Sequence, residues 1–254
     1  PILIDQEGGR INRVRSIFNA DKLTGEYFGN LFLKDEKKFN NNYKIFINKT
    51  SHLLKQIGVN INTVPVLDIR KKRSSQIIGD RSFSSNPKIV NKIGNFCINF
   101  FHKNNIGTVI KHIPGHGLAK VDSHKLTPIV KEKISYLKKN DFSTFKNKKS
   151  FFAMTAHIIY SDIDKMHPAT QSKKIIKMIR KNIKFDNILM SDDISMKSLK
   201  YSIQKNTIRT FTAGCNLVLH CNGNFKEMLI VANNSPIVDK FIIKKTSQFY
   251  KTLS

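Results

Sequence analysis

The sequence predicts a parallel α/β sheet wound into one domain, and three observations carry that expectation. Short apolar runs alternate with longer amphipathic stretches along all 254 residues. The runs are apolar on both faces, as strands are when helices cover both sides of a parallel sheet. No composition break, linker or low-complexity tail divides the chain, whose length suits one (β/α) barrel or two small domains.

Taken in order, the first strand is "PILID" (1–5), ending on Asp5 before the turn Gly8-Gly9 and the arginines Arg10 and Arg13. An amphipathic helix over 39–57 leads to the strand "INTVPVLDI" (61–69), which carries Asp68. "GDRSF" (79–83) is a tight turn presenting Arg81, and a helix follows over 87–104. The third strand, "GTVIKH" (107–112), ends on Lys111 and His112 and runs into "GHGLAKVDSH" (115–124). "SFFAMTAH" (150–157) ends on His157, with a helix over 171–183 behind it. "DNILMSD" (186–192) ends on Asp192, next to Asp193; "NLVLHCN" (216–222) and a helix over 224–233 complete the pattern.

Five strands thus end in acids, a lysine or histidines, at the edge where barrels and open parallel sheets assemble their sites. A single polar strand end is an ordinary loop cap. Five of them argue for a site.

Composition narrows the function classes. Hydrophobic residues make up 40% of the chain, enough for a buried core. The apolar runs fall short of the ~18 residues of a membrane span, and no charged-then-apolar leader is present. The chain starts at Pro1 rather than Met, so it need not begin where its gene does. The formal charge of +26 invites a nucleic-acid reading. Yet the lysines are scattered through segments such as "KKIIKMIRKNIK", the pattern of solvated helix faces, and no zinc-finger or RNP-like motif accompanies them. Cys97, Cys215 and Cys221 lack a CxxC spacing and read as buried thiols of a cytoplasmic protein.

The acids and histidines suit glycoside cleavage, which needs a fixed carboxylate nucleophile and a proton donor. Asp192, at a strand end, has the rigid placement of a nucleophile. Histidine as a residue type ordinarily titrates near the working pH, which suits His124 to proton donation, and Asp122, two residues earlier on the same side of an extended segment, is placed to hold one ring nitrogen. Gly115 and Gly117 make the preceding bend flexible. Asp5 beside Arg10 and Arg13 supplies acceptors and donors for sugar hydroxyls. The Gly pair lacks the spacing of a phosphate loop.

Two other readings compete. His112, His116, His157, Asp122 and Asp192 contain the ligand types of a zinc hydrolase, although Pro114 and Gly115 break the helical spacing that would bring His112 and His116 to one metal. Chelator sensitivity separates that reading. A catalytically silent binder of anionic polymers would instead show steep salt dependence and no sugar hydrolysis.

Together the segments "LIDQEGGRINRV", "PVLDI", "IGDRSF", "IKHIPGHGLAKVDSH", "AMTAHIIY", "HPATQS", "FDNILMSDDISM" and "AGCNLVLHCN" resemble the bacterial β-N-acetylglucosaminidases of glycoside hydrolase family 3, the NagZ-type enzymes of cell-wall recycling. The resemblance spans nearly the whole chain, in family order. It implies a TIM-like (β/α)8 barrel over 1–254 as one domain, and a retaining double displacement without metal or organic cofactor. It assigns the nucleophile to Asp192 and the acid/base to His124, oriented by Asp122. Asp5, Arg13, Arg81, Lys111 and His112 match positions that bind the terminal N-acetylglucosamine. The implied partner is a muropeptide with a non-reducing N-acetylglucosamine, with no nucleic acid required.

Three departures stand out. Leu118, Ala119 and Lys120 replace more polar residues, and a nearby Lys120 would lower the pKa of His124. Asn216 stands where an Asp is usual. Family members also carry two strand–helix units ahead of "LIDQEGGR". Six strands and those two make eight, so the expectation is a barrel lacking its first two units, on the order of 60 residues. Its strands at 1–5 and 216–222 are then open edges beside an apolar flank, prone to association.

Overall fold

The computed structural model describes residues 1–71, 75–123 and 126–253. In chain order the elements are β1 (Leu3–Ile4), α1 (Gly25–Lys34), α2 (Glu36–Gln56), β2 (Ile61–Asn62), α3 (Pro87–Lys103), β3 (Gly107–Ile113), β4 (Ile129–Val130) and α4 (Ile134–Lys139). There follow β5 (Phe152–Thr155), β6 (Ile159–Tyr160), α5 (Lys173–Met178), β7 (Ile188–Asp193), α6 (Ile203–Ala213), β8 (Leu217–Leu219), α7 (Phe225–Asn233) and α8 (Lys240–Tyr250).

All six expected strands form, and they make one parallel sheet in the order β1-β2-β3-β5-β7-β8. The sheet is open: β1 and β8 are its two edges. β4 and β6, which the sequence pattern did not single out, pair in parallel as a separate ribbon. The ladders are shorter than the apolar runs. In the second run the ladder stops at Asn62, because Pro65 offers no N–H to it. Pairing resumes loosely beyond, where Leu67 N–H donates to Lys111 O at 2.8 Å.

Alternation along the strands divides the core in two. Ile110, Ala153 and Leu189 face the helical layer, with Val90, Cys97 and Ile175. Val109, Phe152, Met154, Ile188 and Met190 face the other way, and Phe249 of α8 packs on them. A Cβ on Gly107 would sit 2.5 Å from the Phe249 ring, so only glycine fits there. Phe249 therefore lies at the start of the strands, opposite the end where the polar residues gather.

The helices begin where local chemistry dictates. Asp35 caps α2 by accepting from Lys38 N–H, and Asn86 caps α3 ahead of Pro87 at its first turn. The helix expected over 171–183 is α5 followed by a wider π-turn over Ile179–Ile183, ending at Lys184 in the left-handed region. Cys97 and Cys215 are buried, but Cys221 is exposed, because β8 ends before it at an open edge of the sheet. No helix among the described residues is long and apolar enough to cross a membrane.

Candidate active site

The polar strand ends converge at the C-terminal edge of the sheet. Lys111, at the end of β3, is the hub. Its side chain is 2% exposed, and its Nζ lies 2.7 Å from Asp5 Oδ1 and 2.6 Å from Glu7 Oε1. Thr63 Oγ1 accepts from the same ammonium at 3.0 Å and is itself hydrogen-bonded to Asp5. Glu7 also accepts both arms of Arg81, each at 2.8 Å. A bidentate, buried pair of this kind fixes a guanidinium in orientation as well as position.

Burial alone would raise the Glu7 carboxyl; Arg81 and Lys111 outweigh it and hold the group well below the usual carboxylate range. Burial likewise opposes charge on Lys111, but Glu7 and Asp5 raise it on balance. The four groups form a neutralised, ionised lattice, two acids against two bases. Asp5 remains the exposed member, its side chain 42% accessible, and so is the acid within reach of a ligand.

A second cluster lies alongside. The Asp68 carboxylate is buried and accepts from His112 Nδ1 at 2.7 Å, from His112 N–H at 3.2 Å and from His116 N–H at 2.6 Å. With Nδ1 committed to a carboxylate, Nε2 of His112 is the nitrogen available to a ligand. The His116 ring meets that of His112 edge-on, with centroids 5.5 Å apart, and its Nε2 lies 3.1 Å from Ser123 Oγ.

Asp192 and Asp193 end β7, and their surroundings separate their roles. Asp193 accepts from Ser195 N–H, Ser195 Oγ and Cys221 N–H, so its carboxylate is committed to the turn. Asp192 accepts from Asp193 N–H at 2.8 Å. Burial would raise its pKa, but His112, His157, that hydrogen bond and Lys111 together lower it. His157 is buried; its Nε2–H donates to Asp193 O at 2.9 Å, and its Nδ1 lies within hydrogen-bond distance of Thr170 Oγ1, at 2.7 Å. Burial lowers the pKa of that imidazole on balance, against the opposing pull of Asp192 and Asp193.

The structure brings together five of the expected residues: Asp5, Arg81, Lys111, His112 and Asp192. Arg81, which the tight turn presents, is nearly buried on Glu7. Arg13 is exposed on the loop after the Gly pair, where its N–H donates to Gln6 Oε1, and no described ion pair includes it. Arg10 turns away from the site to the carbonyls of Gln76 and Ile77 and to Asp80. Asp122 is half-buried on the loop, where its carbonyl accepts Leu126 N–H. His124 lies outside the described residues. Leu118 packs on the core and Ala119 is buried, so the two apolar residues of that departure face inward; Lys120 is exposed.

The sequence reading gave Glu7 no role, and it marked Asp68 and His157 only as polar strand ends, His157 also as a possible zinc ligand. Each sat in a quoted segment. The available signal for Glu7 was its place two residues beyond a strand-end acid, in a chain with 18 acids against 44 bases. A shared metal is poorly matched by this donor set. No group of three His, Cys, Asp or Glu side chains placed to share a metal ion occurs among the described residues.

Comparison with known proteins adds the family. Residues 2–247 match the glycosyl hydrolase family 3 N-terminal domain. The chain is 28% identical over 242 residues to a β-hexosaminidase of Idiomarina loihiensis, covering 94% of this chain and 72% of that protein. A β-hexosaminidase of Methylobacillus flagellatus is 27% identical over 237 residues, covering 91% of this chain and 67% of its own. Among solved structures, NagZ from Neisseria gonorrhoeae in complex with N-trifluoroacetyl-D-glucosamine superposes with a TM-score of 0.86 at 24% identity, over 98% of this chain and 73% of that one. That last likeness is one of fold.

Proposed function

This chain belongs to glycosyl hydrolase family 3 and is a glycoside hydrolase, and from that premise we propose that it is a retaining β-N-acetylglucosaminidase acting on muropeptides. The observation that carries the reading is Asp192. It is a carboxylate held ionised at a rigid strand end, beside the lattice of Asp5, Lys111, Glu7 and Arg81.

In this reading Asp192 attacks the anomeric carbon as the bond to the leaving oxygen breaks, and His124 gives that oxygen a proton. Water then attacks the same carbon, returns a proton to His124 and frees the Asp192 carboxylate, so two inversions leave the configuration retained. Asp122 orients His124. Asp5, Lys111, His112, Arg81 and Arg13 hold the terminal sugar: Asp5 accepts from hydroxyls, and the cations and His112 Nε2 reach its oxygens. No metal or organic cofactor enters. The chain works as one catalytic domain over 1–254 in the cytoplasm, and its +26 charge attracts the anionic muropeptide.

The test is release of 4-nitrophenol from its β-N-acetylglucosaminide by the purified chain and by Asp192→Asn. The variant is expected to lose ~10³-fold or more in kcat with its thermal transition intact. NMR of the first-formed sugar should show the β anomer. Undiminished turnover in Asp192→Asn would remove Asp192 from the mechanism, and an α product would overturn retention.

A further inference from the structure

We infer that His116 and Ser123 form a latch that positions the proton-donating segment of the loop, making both of them positioning residues for the first half of the reaction. The inference rests on the proposed acid/base role of His124.

Ser123 is the middle residue of Asp122-Ser123-His124, so its side-chain contact lies within the proposed acid/base segment itself. Its Oγ is 3.1 Å from His116 Nε2, and both residues are buried, at 3% exposure each. His116 is in turn fixed to the sheet edge. Its N–H donates to Asp68 Oδ1 at 2.6 Å, and Asp68 grips His112, the last strand residue but one, through two further contacts. The path from β3 to the loop is therefore Asp68, His116, Ser123, three buried polar groups in series.

Asp122 O accepts Leu126 N–H just beyond Ser123, and the other described anchors act earlier in the loop. Ala119 ties back to His116 O and to Ser75 N–H, and Gly117 lies so close to Ile69 O that a Cβ would come within 2.0 Å. These fix residues 117–119. Ser123 is four residues further on, at the far end of the loop.

The chemistry suits a permanent latch. Burial, reinforced by His112, lowers the His116 imidazole to about 4, so the ring stays neutral at working pH. In either neutral tautomer the pair shares one hydrogen bond: Nε2–H donates to Oγ, or the hydroxyl donates to Nε2. Among the described residues Nδ1 of His116 has no partner, so Ser123 is what the ring side chain is built to hold.

A latch and a mere packing contact differ in what they do to chemistry. Loss of acid positioning hurts glycosides whose leaving phenol needs protonation, and spares those whose phenol leaves unaided. The test compares kcat/KM for phenyl and 2,4-dinitrophenyl β-N-acetylglucosaminides in wild type, Ser123→Ala, Ser123→Thr, His116→Ala, the double alanine variant and His124→Ala. Ser123→Ala should lose at least ~10-fold more on the phenyl substrate than on the dinitrophenyl one, and Ser123→Thr, which keeps the hydroxyl, should recover most of it. The double variant should be no worse than the worse single, because the two side chains act as one contact.

Equal losses on both substrates in Ser123→Ala, with His124→Ala still selective, would overturn the latch alone. An unselective His124→Ala would overturn the acid assignment and the latch with it. Amide hydrogen exchange gives a readout independent of turnover. The peptide spanning 115–126 should exchange faster in Ser123→Ala than in wild type, and unchanged exchange would overturn the latch even in an inactive chain.

Discussion

Two buried acids in this protein answer to pH in opposite senses, and the difference is their partners. Glu7 has Arg81 and Lys111, so its pKa is depressed; its contribution is present above the ordinary carboxylate value and fades as pH falls. Asp141 is as deeply buried, at 1% exposure, but neither of its carboxyl oxygens finds a partner in another described residue. Burial, offset only in part by Lys71 and reinforced by Asp68, raises it to about 7. A raised folded-state pKa reverses the sign. The native state holds a proton that the unfolded chain releases near the ordinary aspartate value of 3.8, so stability from this group is complete below that value and is lost as pH rises to about 7. Asp141→Asn removes the effect. Its stability relative to wild type should climb by about 1.4 kcal/mol per pH unit between those limits and level off above them. Urea unfolding at several pH values measures this, and a pH-independent difference would show that Asp141 ionises freely in the fold. At this scale the sequence told part of the story. Strand-end acids announced themselves by position, whereas Asp141 sits in an unremarkable "KKNDFSTF" and owes its state to what packs over it.

At the scale of elements, the most consequential one for the inner core is α8. Phe249 is fully buried against Phe151 and Phe152, with centroids 5.7 and 5.1 Å away, and it closes the inner face of the sheet at the start of the strands. Phe249→Ala should cost about 3–5 kcal/mol, the range for a large buried aromatic. The same substitution at Phe225, 70% exposed on α7, should cost under about 0.5 kcal/mol. Thermal unfolding of the two variants decides it; equal effects would mean that α8 does not seal the core. No local pattern in "KFIIKKTSQFY" marks Phe249 as a plug, because its partners lie about a hundred residues away. The six strands, by contrast, were legible since burial on both faces writes itself into each run. Their true lengths were not, as Pro65 ends one ladder and register shifts interrupt those of β3 and β7. Asn216 shows how one departure from family pattern is accommodated. Its Oδ1 accepts from Leu189 N–H and Arg180 Nη2, so both donors keep a partner although the charge a carboxylate would set against the guanidinium is gone.

For the whole molecule, two opposed surface terms set its behaviour in solution. Apolar side chains flank the open sheet: Ile2 is 58% exposed, Phe225 70% and Ile237 96%, with Met228, Leu229 and Val238 nearby in sequence on and after α7. Edge strands β1 and β8 offer unpaired backbone groups beside them. Both features favour contact between copies. Against this stands a net charge of +26, which makes every pair of molecules repel. The balance is tunable, because salt shortens the reach of charge from about 10 Å at 0.1 M to about 3 Å at 1 M and leaves the apolar attraction intact. Sedimentation should therefore report a particle near 29.1 kDa at low ionic strength and larger species as salt is added. The reverse trend, dissociation on adding salt, would mean that the contacts are ionic and that the few acids, not the apolar flank, mediate them. A mass indifferent to salt would mean that the open edges are protected without help from charge, and that the exposed apolar side chains lie too far apart to act as one patch.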